Sequence, residues 1–182
     1  MTSKRTGYNS SKTVSEVYGL IYLIVPPKRY GVVSVGAADI NGTNRTVMVP
    51  LSPAEMLRHL AREETAKGIY RVEARVEGLP HKLDAASMRD LSLIVRESIG
   101  NAVKHGGAKK IAISSDAIQG GGWLLRIAND GAPFDPESAP GAKEGHFGLE
   151  GMRQRACRLG ATVSFARRKT GMVVEICHPP AR

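Results

Sequence analysis

From Ser87 to His105 apolar residues recur at helical spacing, with Leu91, Val95, Ile99, Ala102 and Val103 on one arc and no proline among them. A helix of this length with one apolar face must lay that face on something. The next segments supply it. KKIAIS (Lys109 to Ser114) and WLLRIAN (Trp123 to Asn129) read as strands joined through Gly120-Gly121-Gly122, an antiparallel pair. Gly106-Gly107 ends the helix before them.

The same logic extends in both directions. Upstream, Ser52-Pro53-Ala54-Glu55 offers an N-cap, a proline at the first helical position and an early acid, so a helix runs to about Lys67 and stops at Gly68. RVEARVE (Arg71 to Glu77) alternates charged and apolar residues, as a strand with one wet face does. Downstream, Leu149 to Leu159 is amphipathic, with Leu149, Met152, Ala156 and Leu159 inward and Gly160 as the stop. ATVSFA (Ala161 to Ala166) and MVVEIC (Met172 to Cys177) close the chain as strands. The sum is an α+β two-layer sandwich: a mixed, mostly antiparallel sheet with helices on one face.

Residues 1–50 read differently. They are rich in Ser, Thr and Gly, without helical periodicity, and carry short apolar runs at 17–25, 31–35 and Val47 to Val49. They read as a loosely organised extension of unknown role, for which a hairpin is one arrangement. VYGLIYLIV (Val17 to Val25), followed by two prolines, is too short to span a bilayer. Lys4, Arg5 and Lys12 ahead of it give a faint likeness to a signal sequence, but no cleavage site follows, and a short buried strand is the better reading. Cys157 and Cys177 lack the spacing of a metal site or disulfide framework, which suits reduced thiols in a cytoplasmic protein. The net charge of +9 favours anionic partners. DNA is not among them, because no basic stripe with interleaved aromatics is present.

Three polar features carry chemistry. On the long helix Glu97, Asn101 and His105 stack at i, i+4 and i+8 with Lys104 beside them. NDGAPFD (Asn129 to Asp135) stands at a strand end, and EGHFGLEGM (Glu144 to Met152) opens a helix. Taken singly they suit a solvated face, a turn and a flexible connector. Taken together they suit a nucleotide. Gly145, Gly148 and Gly151 allow close backbone approach, and the free N–H groups of a first helical turn attract phosphate. Lys104 can meet a phosphate as a point charge. Asn101 offers the uncharged oxygen that Mg²⁺ accepts beside phosphate oxygens, and Glu97 can hold a metal-bound water. The long segment Asp130 to His146, dense in Gly and Pro, is placed to act as a lid. Neither a Walker loop nor a dinucleotide fingerprint is present.

ESIGNAVKHGGA, NDGAPFD and GHFGLEGMRQRA resemble the N-box and the two glycine boxes of the GHKL ATPase superfamily. More narrowly, they resemble the catalytic ATP-binding domain of NarL/DesK-like sensor histidine kinases, over roughly residues 51–180. The resemblance implies a Bergerat-type sandwich in residues 51–182, with ATP between the N-box helix and the lid. It implies that Asn101 holds Mg²⁺, that Glu97 acts on its hydration shell or assists phosphoryl transfer, and that Lys104 reaches phosphate. His105 would shape the site. Gly131 would admit adenine to the backbone beside Asn129. Gly145, Gly148, Leu149, Gly151 and Met152 belong to the phosphate-cradling segment, with Phe134 and Phe147 as lid anchors.

Three positions depart from the family pattern. Asn129 stands where the adenine-binding aspartate is usual, Pro133 replaces a glycine, and the late Gly-Thr is inverted as Thr170-Gly171. Asn129 therefore predicts weak, adenine-selective ATP binding. None of the five histidines sits in the acidic motif of a phosphoacceptor helix; His59, in LRHLAREE, is followed by Leu60 where the acid belongs. The partners implied are a separate dimerisation and phosphoacceptor domain and a response regulator, with no membrane contact from this segment. Two rivals remain: a non-catalytic nucleotide-binding or interaction module, and a stand-alone serine kinase of the anti-sigma-factor kind.

Overall fold

The computed structural model describes residues 23–29, 32–38, 44–133 and 147–180, and its chain divides into two units, Met1–Pro50 and Leu51–Arg182. In the first, β1 (Leu23–Arg29), β2 (Val32–Ala38) and β3 (Asn44–Pro50) form an antiparallel sheet in the order β1-β2-β3. This is one strand more than a hairpin. Pro26 and Pro27 lie in β1, an edge strand whose register shifts between Val25 and Arg29, the setting in which a sheet tolerates prolines. Of the apolar run 17–25, residues 17–22 lie outside the described residues, as does the lid from 134 to 146.

The second unit begins with α1 (Pro53–Thr65). Ser52 caps it by accepting from the Glu55 backbone N–H, while the Glu55 carboxylate accepts from Ser52 N at 2.9 Å. This reciprocal box satisfies two backbone donors that a helix start leaves open. Then follow β4 (Arg71–Val76), α2 (Ala85–Lys104), β5 (Lys110–Ile118), β6 (Gly122–Asn129), α3 (Phe147–Arg158), β7 (Thr162–Arg167) and β8 (Met172–His178). The long helix starts two residues before Ser87 because Asp84 is its cap, accepting from Ser87 N at 2.8 Å.

The five strands lie in the order β4-β5-β6-β8-β7. β4 pairs with β5 in parallel and every other pairing is antiparallel, so the sheet is mixed and mostly antiparallel. Period-two alternation sorts its faces. Ile113, Ile127 and Val174 are in register, all buried, and join Leu91, Val95 and Ile99 of α2 in the core. One residue away on β6, Arg126 points to the other face, where it pairs with Asp116 and with Glu175 at 3.0 Å. The inward residues Leu149, Met152 and Ala156 of α3, and Leu159 just past its end, are all buried.

Polar clasps fix how the helices lie. Arg96 of α2 donates to Glu63 at 2.8 Å and to the buried Glu64 at 3.1 Å, joining α2 to α1. Burial would raise the Glu64 pKa, but hydrogen bonds from Lys67 and Tyr70 outweigh it and hold the carboxylate below its usual range. Burial and the facing Glu64 push the Tyr70 hydroxyl up to about 12. On the opposite side Arg158 of α3 grips Asp90 of α2 with two bonds of 2.8 Å. This fork, followed by desolvation acting the other way, leaves the Asp90 pKa lowered. A depressed folded pKa means stability that is present above the unfolded value and is lost as pH falls through the folded one. Asp90→Asn should therefore melt a few degrees below wild type at neutral pH. The gap should close as pH drops below the ordinary aspartate value of about 3.9. A gap unchanged from pH 7 to 3 in thermal melts would exclude this role for the pair.

Candidate functional site

α2 and α3 run antiparallel: Asp90 meets Arg158, and Ser98 Oγ donates to Met152 Sδ at 3.5 Å. The start of α3 therefore lies beside the C-terminal half of α2. There a Cβ on Gly148 would stand 2.3 Å from Glu97 Oε1. Glu97 thus rests its carboxylate against the first turn of α3, and a larger residue at Gly148 would push that carboxylate aside. Asn101 lies one turn further along the same stripe. Glu97 and Asn101 are half-buried, and neither side chain makes a hydrogen bond or ion pair with another described residue. Lys104, the last residue of α2, and its C-cap His105 are exposed, and Lys104 likewise has no ion pair among the described residues.

The end of β6 completes the cluster. Ala132 N donates to Gly106 O at 2.7 Å, stitching the strand exit to the C-terminus of α2. Gly131 is buried there, and a Cβ on it would lie 2.7 Å from Gly106 O, so protein backbone already requires a glycine at this position. Asp130 accepts from Lys109 N at 2.8 Å and Lys110 N at 2.9 Å, and the Lys110 N–H is the larger cause of its lowered pKa. The asparagine beside it is also engaged. Asn129 Oδ1 accepts from Gly131 N at 3.0 Å and Nδ2 donates to Met172 O at 3.3 Å. Those partners fix which way the amide points, since a backbone N–H can only donate and a carbonyl can only accept.

The structure thus brings together Glu97, Asn101, Gly148 and, across the α2 terminus, Gly131 with Asn129. It places Leu149 and Met152 in the hydrophobic core, where their contacts are with protein. Gly151 is half-buried with the Arg155 guanidinium over it. Phe134, Gly145 and the side chain of Phe147 lie outside the described residues. Sequence reading passed over Asp130, taking it as part of a turn; its acceptors' partners lie 20 and 21 residues away. Two polar side chains without a partner among the described residues, beside the first turn of a helix, can hold a hydrated divalent cation between themselves and an anionic ligand. Among the described residues no three His, Cys, Asp or Glu side chains gather.

Residues 86–182 match the family described as histidine kinase-, DNA gyrase B-, and HSP90-like ATPase. Among curated relatives, the nitrate/nitrite sensor protein NarQ of Escherichia coli is 35% identical over 123 residues, which is 68% of this chain and 20% of NarQ. The chain spans only about a fifth of that relative's length. Among solved structures, the ATP binding domain of PrrB from Mycobacterium tuberculosis aligns with a TM-score of 0.56 at 25% identity, covering 74% of this chain and 98% of that one. The histidine kinase domain of the Erythrobacter litoralis EL346 blue-light activated kinase gives 0.59 at 21% identity, over 70% of this chain and 61% of that one. On the family match and the fold together, the chain belongs to the histidine kinase-, DNA gyrase B- and HSP90-like ATPases.

Proposed function

We propose that residues 51–182 bind Mg²⁺-ATP and serve as the catalytic half of a sensor histidine kinase, passing the γ-phosphoryl group to a histidine on a separate dimerisation domain. The observation that carries this is the pair Glu97 and Asn101, half-buried and without a side-chain partner among the described residues, beside Gly148 in the first turn of α3. Asn101 supplies a neutral oxygen and Glu97 a carboxylate, a donor set suited to Mg²⁺ that keeps several waters. A cation held there by Glu97 and Asn101 would supply positive charge to offset the charge that develops during phosphoryl transfer. The chain's own part is positional: α3 turns its first N–H groups toward the phosphates, and Lys104 adds a point charge at the rim. NarQ is named a sensor protein and PrrB's domain an ATP binding domain, which supports the same reading here. A response regulator would then take the phosphoryl group onward.

Incubation with γ-labelled ATP, Mg²⁺ and the cognate acceptor domain should label that domain's histidine, while the chain alone stays unlabelled. Labelling of the chain itself, abolished by His59→Ala, would overturn the assignment of the acceptor.

Asn129 favours a weaker, binding-only variant of this reading, because both its polar atoms already serve the protein. One lone pair of Oδ1 remains for an adenine amino group. Asn129→Asp should gain roughly tenfold in ATP affinity through a charge-assisted bond. It should also lose about 1 kcal/mol of stability, because the bond to Met172 O disappears and a carboxylate faces a carbonyl. Titration of ATP and GTP with parallel melts reads both. Unchanged affinity with no preference for ATP would put the base elsewhere.

A further inference from the structure

The open edge of the sheet, away from the nucleotide site, is finished in an unusual way. In a parallel pair, alternate residues of a strand turn both backbone polar groups to the neighbour and the rest turn theirs away. Arg71 N donates to Lys109 O, so Arg71, Glu73 and Arg75 face β5, while Val72, Ala74 and Val76 face the open edge. Helix α1 covers part of that edge. Thr65 Oγ1 both donates to Val72 O at 3.1 Å and accepts from Val72 N at 2.9 Å. Arg58 Nη2 donates to Val76 O at 2.7 Å. Between these two plugs the N–H and C=O of Ala74 have no partner among the described residues.

A groove of about 620 Å³ lies there, between α1 and β4, with Arg58, Arg62 and Arg71 along it. Its one acid, Glu73, is tied to Arg71 at 2.9 Å. Arg58 spends one nitrogen on Val76 and keeps the rest of its fork, and Arg62, one helical turn on, makes no ion pair among the described residues. Among the described residues the groove therefore pairs surplus guanidinium charge with only three free backbone groups, the N–H and C=O of Ala74 and the N–H of Val76, which is too little for addition of a whole strand.

We propose that this groove docks an extended acidic segment of a partner protein, which makes a single backbone bridge to Ala74 and lays a carboxylate between Arg58 and Arg62. Guanidinium forks match carboxylates in two parallel bonds, and a peptide backbone is what satisfies an isolated N–H and C=O pair. Phosphate supplies the charge but not the bridge, and duplex DNA supplies neither an edge nor a strand.

The test uses the whole chain and a fluorescein-labelled decapeptide of alternating Glu and Val, read by anisotropy at low salt. Its Lys-for-Glu counterpart, tripolyphosphate and a DNA duplex are the other probes. The acidic peptide should bind, and Arg62→Glu should weaken it at least about tenfold, as reversal of a docking charge does. Melting temperature and ATP affinity should change little, because Arg62 is exposed and makes no hydrogen bond or ion pair with another described side chain. A peptide with N-methyl groups along the backbone should also bind more weakly, which an ionic attraction alone would not produce. Equal binding by wild type and Arg62→Glu, equal binding of the lysine peptide, or full displacement by tripolyphosphate with no effect of N-methylation would each overturn the proposal.

Discussion

Replacing Gly171 with alanine should cost the domain about 3–4 kcal/mol, among the largest losses a single methyl group causes. The glycine is buried in the β7–β8 turn at φ +93°, and a Cβ there would stand 1.7 Å from the carbonyl oxygen of Asn129 and 2.6 Å from its carbonyl carbon. Backbone, unlike a side-chain tip, cannot swing aside. Relief requires the end of β6 to separate from the start of β8, which also breaks the Asn129 bond to Met172. The melting temperature should fall by about 10 °C, given a few degrees per kcal/mol for a domain of this size. Gly107→Ala is the control: its φ is +63°, but a Cβ would meet nothing within 4 Å. It should cost only about 1–2 kcal/mol of left-handed strain. Calorimetric melts that put both variants within a degree or so of each other would show that the clash at Gly171 is absorbed.

The largest functional effect is expected at Asn101. Asn101→Ala should weaken Mg²⁺-ATP binding by about a hundredfold or more, since each lost decade is about 1.4 kcal/mol and a charged ligand set loses a whole donor. Thermal stability should hardly change, because the amide makes no hydrogen bond to a described residue and alanine is the better helix former. Isothermal titration with and without Mg²⁺ separates this from a general loss of fold. Equal affinities in wild type and variant would remove Asn101 from the site.

Local signals in the sequence were reliable where the physics is local. The box of Ser52 and Glu55 involves neighbours three residues apart, and the inward set of α3 follows from helical period alone. Strand ends were less legible. β5 continues past Ser114 to Ile118 because Ser115 Oγ accepts from Glu77 N and Gly78 N, and because Asp116 pairs with Arg126 across the sheet. Such partners, from 10 to 38 residues away, leave no mark in a short window of text. The position of β8 between β6 and β7 was hidden for the same reason. At the site, the stripe that carries Glu97 and Asn101 on α2 could be read from spacing, and so could the helical phase that turns Leu149 and Met152 into the core.

The parallel pairing of β4 with β5 also bears on how the chain acquires its fold. Antiparallel neighbours such as β5 and β6 can zip outward from a tight turn, at little cost in loop closure. β4 and β5 cannot, because Val76 and Lys110 are joined only through α2 and its flanking loops. Every bond between them waits on the ordering of that crossover. The helix bearing Glu97 and Asn101 is therefore also the spacer whose formation turns a distant strand pair into a near one. Selection on its apolar arc acts on the rate of folding as much as on the geometry of the site.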